Sequence, residues 1–197
     1  MQNLTLNVPK PLYIKKKATK SKAFHEAEKL SQSQVDEAFA ASVKTTKNIY
    51  TFNYEGKMRE VYLLEKSAAI DNGITKISEP HAPSGIALSS IEKTLIECVI
   101  KPNYAGGTQE VMAAFHAAKD RLKVLRMMQL VEKGGYSLPY GKNILFYMDR
   151  TGYTEQQKDL VRQRLTPETK QLNSYLEKSM RNPAFDANIG IYYPKGL

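Results

Sequence analysis

The stretch Ser89-Ser90-Ile91-Glu92-Lys93-Thr94-Leu95-Ile96-Glu97-Cys98-Val99 separates two halves of different period. Ile91, Leu95, Ile96 and Val99 recur at the spacing of a helix buried along one side. Ser89-Ser90-Ile91-Glu92 has the form of a capping box: a serine hydroxyl accepts from the N–H three residues on, and the glutamate reaches back. A helix is therefore expected to start here, and everything beyond it also reads as helical. Pro102 closes that helix, and Asn103–Gly107 is a loop. Thr108 suits an N-cap for a helix carrying Val111, Ala114, Phe115 and Ala118. Asp120 starts or continues a helix through Leu122, Leu125, Met128 and Val131, which Gly134-Gly135 ends in a left-handed cap. A helix over about 140–150 carries Ile144, Leu145, Tyr147 and Met148. Thr154-x-x-Gln157 is a second capping box, opening a helix through Leu160, Val161 and Leu165. Pro167 sits at the start of a last helix reaching about Met180.

Before Ser89 the pattern changes. Ile49-Tyr50-Thr51-Phe52-Asn53-Tyr54 and Glu60-Val61-Tyr62-Leu63-Leu64 are rich in β-branched and aromatic residues, with Glu55-Gly56 as a tight turn. Residues 48–64 thus read as a hairpin. Ile74–Ser78 follows the turn Asp71-Asn72-Gly73 as a short strand. Pro80 and Pro83 mark a loop, and Gly85-Ile86-Ala87-Leu88 is one more buried strand. Residues 25–43 look helical on Ala27, Leu30, Val35, Ala38, Phe39 and Val43, with Ser31 or Ser33 capping a second segment within them. The fold class that results is α+β, a small antiparallel β-sheet packed with a C-terminal helical array. The organisation is a basic arm over 1–24, an α+β domain over 25–181 and an irregular tail over 182–197.

Composition excludes several functions. One cysteine, Cys98, in 197 residues forbids an intrachain disulfide and a four-thiolate zinc site. His25, His81 and His116 offer no i, i+4 pair, and no metal site or cofactor is expected. No apolar run approaches the roughly 18 residues that cross a bilayer, and no apolar core follows the first lysines as a secretory signal requires. The expected compartment is the cytoplasm. Net charge is +9, and six of those charges are lysines within residues 1–25, which hold no acid. Lys15, Lys16, Lys17, Lys20 and Lys22 in this arm suit a polyanion, because each lysine–phosphate contact releases counterions. The other reading is a solvated terminal segment. Lys119, Arg121, Lys123, Arg126 and Lys133 are read as one helix face. Lys119, Lys123 and Arg126 give either a second contact, to nucleic acid or an acidic partner, or a solvated helix side. The chain has no tryptophan and no aromatic–arginine alternation, so a stacking platform for single strands is not expected.

Motifs for catalysis fit poorly. Gly135 to Gly141-Lys142-Asn143 misses the phosphate-loop spacing and its hydroxyl. Glu55-Gly56-Lys57 with Asp36 has the letters of a restriction-type nuclease, whose carboxylates hold Mg²⁺, but Glu168-Thr169-Lys170 has them too. Cys98, beside an apolar stripe, reads as a small hydrophobe.

Residues 85–98, followed by Lys101-Pro102-Asn103-Tyr104-Ala105-Gly106-Gly107-Thr108-Gln109-Glu110-Val111, resemble the AbiEi family of antitoxins. The family pattern is a short strand, S-x-E-[RK]-[AT]-L-[IL]-[DE], a P-x-Y-A-G-G loop and an E-V helix. A weaker similarity extends over 35–150. The resemblance implies a non-enzymatic antitoxin and transcriptional regulator of type IV toxin–antitoxin, abortive-infection phage defence. Its implied counterpart is a nucleotidyltransferase toxin. Family members carry an N-terminal winged helix-turn-helix for which residues before the matching body leave too little room, so the expectation is either a toxin-neutralising part without the DNA reader or a lysine arm that contacts nucleic acid non-specifically.

Overall fold

The computed structural model describes residues 30–62, 73–76, 87–134, 136 and 138–197. The expected arm, residues 25–29, the Asp71-Asn72 and Pro80/Pro83 segments, Gly85-Ile86 and Gly135 lie outside the described residues. The class is α+β: short sheets and a set of short helices. Among the described residues no helix is long and apolar enough to cross a membrane.

Helix α1 (Gln32–Ala40) opens on a complete capping box between Ser31 and Gln34, so of the two candidate serines Ser31 is the cap. It buries Val35 and Phe39. Strands β1 (Ile49–Tyr54) and β2 (Lys57–Tyr62) form the expected antiparallel hairpin. Its two turn residues, Glu55 and Gly56, both have positive φ, 51° and 72°, the mirror-image turn whose twist matches right-twisted strands. Every residue of both strands is exposed. Strand β3 (Ile74–Lys76) pairs antiparallel with β4 (Ala87–Ser89). Of the buried strand expected at 85–88, the described end is not covered: Leu88 is 44% exposed.

The core belongs to the helices. It gathers α2 (Ile91–Ile100), α3 (Thr108–Ala118), α4 (Val124–Lys133), α5 (Tyr140–Arg150) and α6 (Glu155–Arg162) around Ile96, Val111, Phe115, Met127, Ile144, Met148 and Val161. Helix α5 is central: every residue from Gly141 to Met148 is buried. Phe115 stacks on Tyr147 at 5.1 Å between ring centroids. Tyr153 meets Phe115 edge-on and donates its hydroxyl to the Phe115 carbonyl. The Thr154/Gln157 capping box forms as expected.

Two expectations about the end of the chain fail. Helix α7 (Pro167–Gln171) does not reach Met180; it stops before β5 (Ser174–Tyr175). The region 182–197 is not irregular. It supplies β6 (Ala184–Asp186) and β7 (Ile191–Tyr193), and β7 runs between β6, antiparallel, and β5, parallel. Helix α4 does end at the expected glycines, with Gly134 as its C-cap at φ −72°; Gly135, the next position, lies outside the described residues.

The reason for the early stop of α7 is a polar clamp. Buried Lys142 on α5 donates to the carbonyls of Lys170 and Leu172. Asn143, fully buried, donates to the Tyr175 carbonyl at 2.7 Å and accepts from the Ser174 hydroxyl at 2.7 Å. From α1, Gln32 accepts from the Asn173 N–H and donates to the Asn173 carbonyl. The carbonyls of Lys170, Leu172, Asn173 and Tyr175 and the Asn173 N–H thereby find side-chain partners in place of helical hydrogen bonds, which satisfies polar groups that burial would otherwise orphan. The sheet is then held to α5 by Phe146 against Tyr193, 5.0 Å between centroids, and by Arg150, which lies over both rings and 3.5 Å from Asp186.

Candidate functional site

The residues that carry the family resemblance form the junction of α2, α3 and α4. Helix α2 starts one residue later than the capping-box letters suggest. Its N-cap is Ser90, whose hydroxyl accepts from the Lys93 N–H. Glu92 is thereby freed for another helix. Its Oε1 accepts from the Lys123 N–H at 3.3 Å, and Oε2 lies 3.9 Å from Arg126 Nε. Lys123 is the N-cap of α4 and has no side-chain cap of its own. Glu92 does for α4 what Gln157 does for α6, but from a different helix. The site opposes ionisation by burial. Its own backbone N–H, the Ser90 side chain, the Lys123 N–H and Arg126 outweigh that and hold the carboxyl below its ordinary value.

After α2, Pro102–Tyr104 makes one tight 3-10 turn. Gly106 and Gly107 follow with φ of 86° and 96°, left-handed values that a side chain disfavours. At Gly106 a Cβ would also come 2.7 Å from the Glu110 side chain. The diglycine thus sets the entry angle of α3. Gly107 is the N-cap, and Thr108, expected there, is instead the buried first residue of the helix.

The loop also forms one wall of a cleft of about 540 Å³. Phe39, Val99, Tyr140 and Leu176 supply apolar surface; Lys44, Lys101 and Lys178 supply charge. Tyr104 ties the wall together, its hydroxyl accepting from the Thr46 N–H at 2.5 Å while its ring meets Tyr62 of the hairpin edge-on at 5.9 Å. Burial raises the Glu177 carboxyl above its ordinary value and pushes Tyr140 up to about 12. The lining thus combines apolar walls with three lysines and one carboxylate, Glu177.

The basic residues expected on one helix are divided among three settings. Lys119 is the C-cap of α3, Lys123 the N-cap of α4, and Arg126 lies on α4 beside Glu92. The chain breaks between them because the N–H groups of Arg121 and Leu122 both bond to the Ala118 carbonyl, and Leu122 is turned into the core. Lys15, Lys16, Lys17, Lys20 and Lys22 lie outside the described residues. The nuclease letters are not brought together as a metal site. Glu55 is exposed at the tip of the hairpin. Asp36, on α1, accepts from Gln32 and from the Tyr175 hydroxyl. Among the described residues no three of His, Cys, Asp and Glu gather to hold a metal ion. The Gly141-Lys142 letters lie inside α5, where Lys142 grips backbone carbonyls. Cys98 is half-buried, its thiol raised by burial and by Glu97, the reverse of an activated nucleophile.

What the sequence reading missed is the clamp of Gln32, Lys142 and Asn143. Its one sequence signal is the polar pair Lys142-Asn143 inside a helix whose neighbouring positions are apolar. No family model, curated protein or solved structure matches this chain.

Proposed function

We propose that this protein is a non-enzymatic, AbiEi-like antitoxin and regulator of a type IV toxin–antitoxin phage-defence pair. Its helical half counteracts a nucleotidyltransferase toxin, and its lysine arm contacts nucleic acid. One observation supports the reading best. The polar residues of the resembling stretch are spent on building the helix junction: Ser90 caps α2, Glu92 caps α4, and Gly106-Gly107 turn the chain into α3. That is the behaviour of a scaffold motif, and beside it lies a cleft lined by apolar side chains, three lysines and Glu177. Co-expression with a nucleotidyltransferase toxin encoded beside it is the test. Restored growth is expected, and undiminished toxicity in the presence of folded protein would refute the proposal. For the arm, binding to duplex at low salt should fall steeply with added salt, and deletion of residues 1–24 should flatten that dependence.

A further inference from the structure

The hairpin β1–β2 has no counterpart in the proposal above. Its register places Tyr50 opposite Val61, Phe52 opposite Arg59 and Tyr54 opposite Lys57. Cross-strand partners share a face, and so do alternate residues of one strand. One face therefore carries a row of three aromatic rings, Tyr50, Phe52 and Tyr54, with Lys57 and Arg59 beside two of them. Along the chain these residues do not alternate; across the strands they do. The rings are 52%, 46% and 56% exposed, although side chains of this kind are usually covered.

Two features choose the occupant. The first is charge. This face has two cations and no acid; Glu60 is on the opposite face, where its carboxylate accepts from the Tyr62 hydroxyl at 2.6 Å. The opposite face meets the body through Tyr62 and Tyr104, while all three rings of the aromatic row stay exposed. The second is spacing. Alternate residues of a strand stand about 6.7 Å apart, about twice the 3.4 Å rise per nucleotide of a stacked strand. Rings at that spacing can receive bases only from a strand that is free to unstack. Aromatic faces with interleaved cations bind such strands by stacking and backbone neutralisation.

We infer that this hairpin face is a binding site for single-stranded nucleic acid, with Tyr50, Phe52 and Tyr54 stacking on bases and Lys57 and Arg59 on phosphates. This site is independent of the antitoxin reading.

The test uses the full chain and a labelled 12-nucleotide strand, as RNA and as DNA, with the DNA duplex of the same sequence as the comparison. Because the chain has no tryptophan, Phe52→Trp places a single indole in the row. Its emission should be quenched by either single strand and not by duplex. Phe52→Leu keeps an apolar residue without a π-face and should weaken single-strand binding about tenfold, leaving duplex binding by the arm unchanged. Lys57→Gln with Arg59→Gln should lower the log–log salt slope by about 1.4, at about 0.7 per lost phosphate contact. The RNA-to-DNA affinity ratio then names the sugar preferred. Indole emission of the Phe52→Trp protein that does not respond to either single strand overturns the inference, as does wild-type affinity in a folded Phe52→Leu protein. Self-association through this face, seen by sedimentation and abolished by Phe52→Leu without any single-strand binding, would overturn it in favour of a second copy of the chain.

Discussion

Removing the carboxylate of Glu92 tests the claim that one helix caps another. Glu92 is 4% exposed and accepts from the N–H of Lys123 at the start of α4. Glu92→Ala leaves that N–H without its acceptor. A hydrogen bond to a charged group contributes about 1.5–3 kcal/mol, and a negative charge at a helix N-terminus about 0.3–1 kcal/mol. The Arg126 pair adds little, since it is long at 3.9 Å and the arginine is half-exposed. The expected loss at pH 7 is about 2–4 kcal/mol by urea denaturation, or a fall in Tm of about 5–15 °C for a chain of this size. Glu92→Gln keeps an acceptor and loses only charge, so it should cost about 1 kcal/mol. The pH dependence has a definite sign. The folded carboxyl titrates below its ordinary 4.5, so its stabilisation is present above that pH and is lost as pH falls through the lower folded value. The gap between wild type and Glu92→Gln should therefore close in acid. A Glu92→Ala loss under about 0.5 kcal/mol at pH 7, or a wild-type-to-Gln gap unchanged between about pH 7 and 3, would refute the shared cap.

Three further outcomes are expected. Lys142→Met should cost about 2–4 kcal/mol, since it orphans the Lys170 and Leu172 carbonyls; amide exchange should quicken first at 170–176, and uniform exchange would contradict the clamp. Tyr147→Phe should leave stability unchanged or raise it by up to about 1 kcal/mol, because the buried hydroxyl has no hydrogen-bond partner among the described residues; a Tm loss of several degrees would show that the hydroxyl is bonded. Glu55→Asn should stabilise the hairpin by about 0.5–1 kcal/mol, as asparagine tolerates the left-handed φ of 51° better than glutamate does; slower exchange of the β1–β2 amides is the readout, and faster exchange would argue against the mirror-image turn.

Local features were legible along the chain. A cap at Ser31 or Ser33, the Thr154 cap, the hairpin with its Glu55-Gly56 turn, the stripe of Leu95, Ile96 and Val99, and helix α5 all follow from neighbours a few residues apart, where periodicity and turn chemistry act. The α+β class follows from them. The remaining choices were settled only on folding, because each depends on partners distant in sequence. Glu92 had a local cap available and serves a helix that begins 31 residues beyond it, at Lys123. The segment after Gln171 leaves the helix because Gln32, Lys142 and Asn143 offer its backbone better-placed partners, and the strands of the last residues then have an edge to join. The face of the hairpin is likewise a product of pairing: rings and cations that are separate along the chain become neighbours only when β1 lies against β2.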